Sequence, residues 1–155
     1  MNPMLNEQAP FDLRLDRERI RQMLPRPYPF IFIDAVQELL PWEKIVCVKN
    51  IGSEEWALPG EEQKQALFPG MLLIEAMTQA CTLLFKAGPS EHVLSGAMLL
   101  PTHVNSEFMQ PVTPGEQVVF TCEVVRMFSR AAMVAATAEV DGQLAARAEL
   151  SFAVV

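Results

Sequence analysis

The chain has 155 residues, half of them apolar and a fifth charged, with a formal net charge of −7. This profile suits one globular domain with its own core and excludes a low-complexity or fibrous chain. The acidic balance argues against a nucleic-acid partner, whose phosphates need Lys and Arg. It also works against broad attraction to an acidic carrier protein, although Arg126, Arg130 and Arg147 offer a local basic patch.

In chain order, residues 1–14 read as a loose arm of a single domain spanning 1–155. No basic-then-apolar leader pattern opens the chain, so no signal peptide is expected. Asp16 through Leu24 predicts a short amphipathic helix, with Asp at its start and Ile20, Met23 and Leu24 facing inward. Pro25, Pro27 and Pro29 then force an extended segment. Phe30–Val36 and Lys44–Ile51 are strand candidates, and residues 52–67 are polar and irregular.

A long apolar helix is predicted from Pro69 to a stop at Gly88-Pro89. Apolar residues occupy nearly every face, so burial on all sides is expected. The stretch from Met71 to Phe85 is broken by Glu75, Thr78, Gln79 and Thr82, and it is shorter than the roughly 20 apolar residues a membrane span needs. Glu75 and Gln79 are four apart and share a face. A carboxylate on such a helix is costly unless paired, hydrogen-bonded or used, which makes Glu75 the first functional suspect.

Five strand candidates follow: Val93–Leu100, His103–Phe108, Gln117–Met127, Ala131–Val140 and Leu144–Val155. Asp141-Gly142 is a hairpin signal, because the tight turn needs positive φ, and Pro114-Gly115 is a second turn. The Ala-rich run 131–138 favours helix by propensity, but the adjoining hairpin tips it to strand. One helix with an antiparallel meander to bury it gives an α+β fold, a curved sheet around the helix. Cys47, Cys81 and Cys122 are odd in number and widely spaced, with neither metal-ligand spacing nor a disulfide framework, so a cytoplasmic chain without metal or cofactor is expected.

Three segments carry a resemblance: Leu24–Phe30 followed by Asp34; Phe68-Pro69-Gly70 with Leu73–Gln79; and Phe108–Glu116. In this order the chain resembles the bacterial β-hydroxyacyl-[acyl carrier protein] dehydratases. The resemblance implies the hot dog fold, a dimer whose sheets join side by side, and active sites at the dimer interface. It implies that a histidine abstracts the α-proton of a 3-hydroxyacyl thioester. A helix carboxylate from the other subunit handles the β-hydroxyl, and N–H groups at the helix start polarise the carbonyl. By that resemblance Glu75 is the carboxylate and Gly70-Met71 the helix start. The histidine position, seven residues before Phe68, holds Glu61 in the polar run Glu61-Glu62-Gln63-Lys64. The basic residues that often follow the aligned Phe108 are Met109 and Gln110 here.

Glu75 is therefore read as a general acid, with a structural carboxylate bonded to Gln79 as the alternative. Glu61 is either a carboxylate base or a solvated loop charge. Phe68, Pro69, Gly70, Met71, Gln79, Tyr28 and Phe30 are assigned to substrate binding, with packing as the alternative for the aromatics. His103 is weighed as a displaced base and His92 as a loop residue; Cys81 is read as packing, and Met71, Met77 and Met98 as core or acyl-tunnel lining. Three activities stay open: a 3-hydroxyacyl-thioester dehydratase with an unorthodox base, a non-catalytic acyl-binding or heterodimer partner subunit, and an acyl thioesterase using Glu75. The partners expected are an acyl thioester, an acyl carrier protein or CoA as its carrier, and a second copy of the chain, with a higher oligomer or a heterodimer with an active homologue as alternatives.

Overall fold

The computed structural model describes residues 15–24, 30–52, 67–87 and 98–155. Its elements are α1 (Arg17–Met23), β1 (Ala35–Leu40), β2 (Lys44–Asn50), α2 (Gly70–Lys86), β3 (Leu99–Phe108), β4 (Gln117–Met127), β5 (Ala131–Val140) and β6 (Gln143–Val154). The strands form one antiparallel sheet in the order β1-β2-β4-β5-β6-β3. The expected meander thus holds for β4 to β6, while β3 crosses over to pair with β6 instead of β4. The sheet wraps α2, the arrangement of a hot dog fold.

Alternation explains which strand faces meet the helix. On β4, Val118, Phe120 and Cys122 are buried; on β5, Ala132, Val134, Ala136 and Ala138. The Ala-rich run is a strand because its small inward side chains let the sheet lie close to α2, which outweighs intrinsic propensity. Asp141 and Gly142 have φ of 50° and 77°, as a two-residue hairpin turn needs. At the far end of α2, Phe85 meets Phe152 edge-on at 6.0 Å. Trp42, at φ 63° in the β1–β2 turn, donates from Nε1 to the carbonyl of Phe85 at 3.1 Å and caps the last turn.

Four expectations need correction. The helix is not buried all round: Met71, Glu75, Thr78, Thr82 and Lys86 form an open stripe along one side, Met71 being 71% exposed. Residues 30–34 lie outside the regular strand, which runs Ala35–Leu40, because the backbone groups of Phe30 and Phe32 bond the Gln79 side chain rather than a neighbouring strand. The candidates 93–100 and 103–108 contribute to one strand, β3, with a register shift between Pro101 and His103. Met98, offered as core or acyl-tunnel lining, is 69% exposed and so is not core. Gly88-Pro89 and His92 lie outside the described residues.

One buried charge went unforeseen. Lys49 sits on the inner face of β2, only 5% exposed. Asp34 lies 3.9 Å from its Nζ, accepts the Asn50 N–H at 2.6 Å and faces Arg17 at 3.5 Å. Burial of an ammonium needs such a partner, so Asp34 ties the end of β2 to α1.

Candidate active site

The site is built around the first two turns of α2. Pro69 caps the helix with φ −59° and ψ 129° and no side-chain hydrogen bond, and the first turn holds no acidic residue. The positive end of the helix dipole, with N–H groups that have no partner within the helix, is thus not answered by its own side chains. Phe68 fixes where the helix begins: it is buried, and its N–H donates to the Val112 carbonyl at 2.8 Å. The segment after β3 is thereby laid beside the helix start.

Between them opens an apolar cleft of about 520 Å³, walled by Phe68, Pro69 and Gly70 on one side and by Phe108–Val112 on the other, with Leu73 among its lining residues. Phe108 lies so close over Gly70 that an ideal Cβ at that glycine would be 2.9 Å from its ring. Met109 and Gln110, the non-basic residues of the sequence motif, line the same cleft. The proximity of this wall to the helix start was not evident in sequence; it depends on the β3–β6 crossover.

Glu75 stands about one turn beyond, on the open stripe and half-buried. Gln79, 3% exposed, donates from Nε2 to Glu75 Oε1 at 3.1 Å and to the Phe30 carbonyl at 2.8 Å, and accepts the Phe32 N–H at 2.9 Å. Phe30 is half-exposed beside this network and meets Phe32 edge-on at 5.9 Å; Phe32 in turn meets Phe68 at 6.4 Å. An aromatic row therefore runs from the strap carrying Phe30 to the helix start.

Of the residues assigned to substrate binding, the structure gathers Phe68, Pro69 and Gly70 at the cleft and places Met71 and Phe30 as exposed groups nearby. Gln79 is 3% exposed and its amide bonds protein groups at both ends, the Phe32 N–H at its oxygen and the Phe30 carbonyl and Glu75 at its nitrogen. Tyr28 and Glu61 lie outside the described residues. His103 is exposed and opposite Ser151 on β6, whose neighbours Leu150 and Phe152 are buried, so it faces away from α2 and does not meet Glu75 within this chain. Cys81 is fully buried, and burial, with Cys122 beside it, pushes its thiol well above the ordinary range; it is a packing residue, not a nucleophile. Among the described residues no cluster of three His, Cys, Asp or Glu could hold a metal.

Residues 24–149 match the model of the FabA-like domain. The chain belongs to the FabA-like family. It is 36% identical over 137 residues to the 3-hydroxyacyl-[acyl-carrier-protein] dehydratase FabZ of Thiobacillus denitrificans, covering 88% of this chain and 94% of that protein. It is 34% identical over 140 residues to the FabZ of Aromatoleum aromaticum, covering 90% and 97%. Among solved structures, the dehydratase heterocomplex ApeI:P from Xenorhabdus doucetiae superposes with a TM-score of 0.68 at 12% identity, over 88% of this chain and 90% of that one. As a FabA-like protein the chain is dehydratase-like; of its sequence motifs, the second falls on the helix start with Glu75 and Phe108–Val112 of the third forms the far wall of the cleft, while residues 25–29 of the first lie outside the described residues. Among the described residues no helix is long and apolar enough to cross a membrane.

Proposed function

We propose that this protein acts on 3-hydroxyacyl thioesters, with Glu75 as the group that meets the β-hydroxyl. The observation that carries this reading is the placement of a half-buried, Gln79-tethered carboxylate about one turn from a helix start that no N-cap side chain and no acidic first-turn residue answers, beside an apolar cleft. The N–H groups of Gly70 and Met71 take the thioester carbonyl oxygen and stabilise the negative charge that grows there when the α-proton leaves. The base removes that proton, and the freed pair forms the Cα–Cβ double bond. The C–O bond at Cβ breaks as Glu75 delivers its proton to the hydroxyl, releasing water and a 2-enoyl thioester. The cleft takes apolar parts of the acyl chain, with Phe30 at its approach.

Glu61 is the base candidate within the chain. A heterodimer is the second reading, favoured by the outward orientation of His103: a homologous subunit would supply the histidine and this chain Glu75. Either dimer would form through β3, which lies at the sheet edge and is exposed on both faces. Antiparallel pairing through β3 would set the β4–β5 hairpin of one subunit near the partner's cleft. That hairpin carries Arg126, Arg130 and exposed Phe128, a surface suited to an acidic acyl carrier protein. We read residues 1–155 as one such domain, acting in a reducing, cytoplasmic setting to which three buried free thiols are suited.

The test is incubation of the purified protein, alone and with a co-expressed homologue, with 3-hydroxyacyl-CoA and 3-hydroxyacyl-carrier substrates. Formation of the 2-enoyl thioester supports dehydration; activity only with the homologue supports the heterodimer. Release of free thiol instead would assign hydrolysis, and no turnover in any combination would overturn the reading.

A further inference from the structure

We propose that Gln79 is a positioning residue that couples the Phe30–Phe32 strap to Glu75 and decides which carboxyl oxygen carries the transferable proton. The inference rests on the reading of Glu75 as the acid, but its geometry stands without any turnover. The amide orientation of Gln79 is not arbitrary. Its oxygen must face the Phe32 N–H at 2.9 Å and its nitrogen the Phe30 carbonyl at 2.8 Å, because the flipped amide would set donor against donor and acceptor against acceptor. With those two bonds fixed, the second hydrogen of Nε2 is aimed at Glu75 Oε1, 3.1 Å away.

Two consequences follow. Oε1 is held as an acceptor, so the proton that Glu75 would give to a departing hydroxyl is carried on Oε2. The carboxyl plane is also tied, through Gln79, to backbone 47 and 49 residues before that glutamine, in the extended segment whose Phe30 side chain stands half-exposed by the site. Burial makes the coupling effective: Gln79 is 3% exposed, and a buried amide that loses one of its partners is not freely rescued by water. A strap displacement that lengthens the bond to Phe30 therefore reorients the donor that holds Glu75.

The test uses the intact protein and two readouts that need no activity. The carboxylate stretch of Glu75 is identified by isotope-edited infrared difference between the wild type and Glu75→Gln, then followed in the shape-conserving Gln79→Met variant. The Glu75 band should shift and broaden when its donor is removed; an unmoved band would overturn the proposal. As a second arm that holds even where Gln79→Met does not fold, hydrogen exchange of the Phe32 amide is measured in Glu75→Ala, which removes the acceptor of the Gln79 Nε2 bond and falls on the open helix stripe. Protection of Phe32 should drop by about two- to twelvefold as Gln79 loses this partner, the loss expected for one hydrogen bond; unchanged protection would show that Gln79 is a strap anchor only and overturn the coupling. If the bands and exchange behave as expected while dehydration assays fail, the positioning role stands and the assigned reaction falls.

Discussion

Replacing Gly70 by alanine tests the packing that shapes the mouth of the cleft. An added Cβ would lie 2.9, 3.1 and 3.4 Å from three atoms of the Phe108 ring, the first of these closer than a Cβ can approach without the ring moving. The ring is 51% exposed, so it can swing outward rather than forcing the backbone apart. The clash then costs about 0.5–1.5 kcal/mol, the range for an off-rotamer side chain. Against this stands a gain of about a few tenths of a kcal/mol from replacing glycine at the first helical position, less than the roughly 1 kcal/mol of a helix interior. Gly70→Ala should therefore change stability by less than about 1 kcal/mol. In a Phe108→Ala background, where the clash is gone, the same substitution should stabilise, giving a coupling of about 1 kcal/mol in a double-mutant cycle. Urea unfolding of the four proteins, followed by circular dichroism, measures it. Equal effects of Gly70→Ala in the two backgrounds would refute the account of this wall, as would a loss above about 3 kcal/mol, which would mean the ring cannot move.

Asp34→Asn should destabilise by about 2–3 kcal/mol, somewhat less than for a fully buried pair because the Asp34 side chain keeps 19% of its surface in water, and Lys49→Met in that background should restore part of the loss; thermal unfolding of the single and double variants checks both. Cys47 and Cys81 are held well above the ordinary thiol range, mainly by burial. Between the unfolded value near 9.0 and the raised native value the folded chain binds more protons than the unfolded one, so stability should be intact below pH 9 and fall as pH rises beyond it. In the same protein at neutral pH these thiols should resist a disulfide reagent until the chain is unfolded, and rapid labelling of the native state would contradict their burial.

The elements that the sequence announced were those whose signals are local. Asp16 does accept from the Arg19 N–H at 2.9 Å as a helix cap, and Asp141-Gly142 does turn a hairpin. The strand character of 131–140 was legible only because that turn outweighed alanine propensity. What was not legible depends on distant partners. Nothing near Phe30 says that its carbonyl will bond a glutamine 49 positions on, so a run that reads as strand becomes a strap. Nothing near Lys49 says that its alternation places it inward, and the Asp34 that receives it lies 15 positions earlier in the sequence, on the segment leading into the neighbouring strand. The apolar composition of α2 concealed its open stripe, since Thr78 and Thr82 turn their hydroxyls back to the carbonyls of Ile74 and Thr78. At the site, Glu75 and the Phe68-Pro69-Gly70 start were visible from motif and chemistry. The bonds of Gln79 to the Phe30 carbonyl and the Phe32 N–H were not, because a helix residue four positions from a carboxylate is equally placed to touch substrate or protein until the strap is located.

The most direct test of the central claim is the rate of 2-enoyl thioester formation from a 3-hydroxyacyl thioester by the wild type and by Glu75→Gln, each alone and with the homologous subunit. The account predicts turnover by the wild type in at least one of these settings and a loss of about 10²–10⁴-fold in the variant, the range expected for removing a general acid, with the fold intact by circular dichroism. Wild-type rates in Glu75→Gln would contradict it.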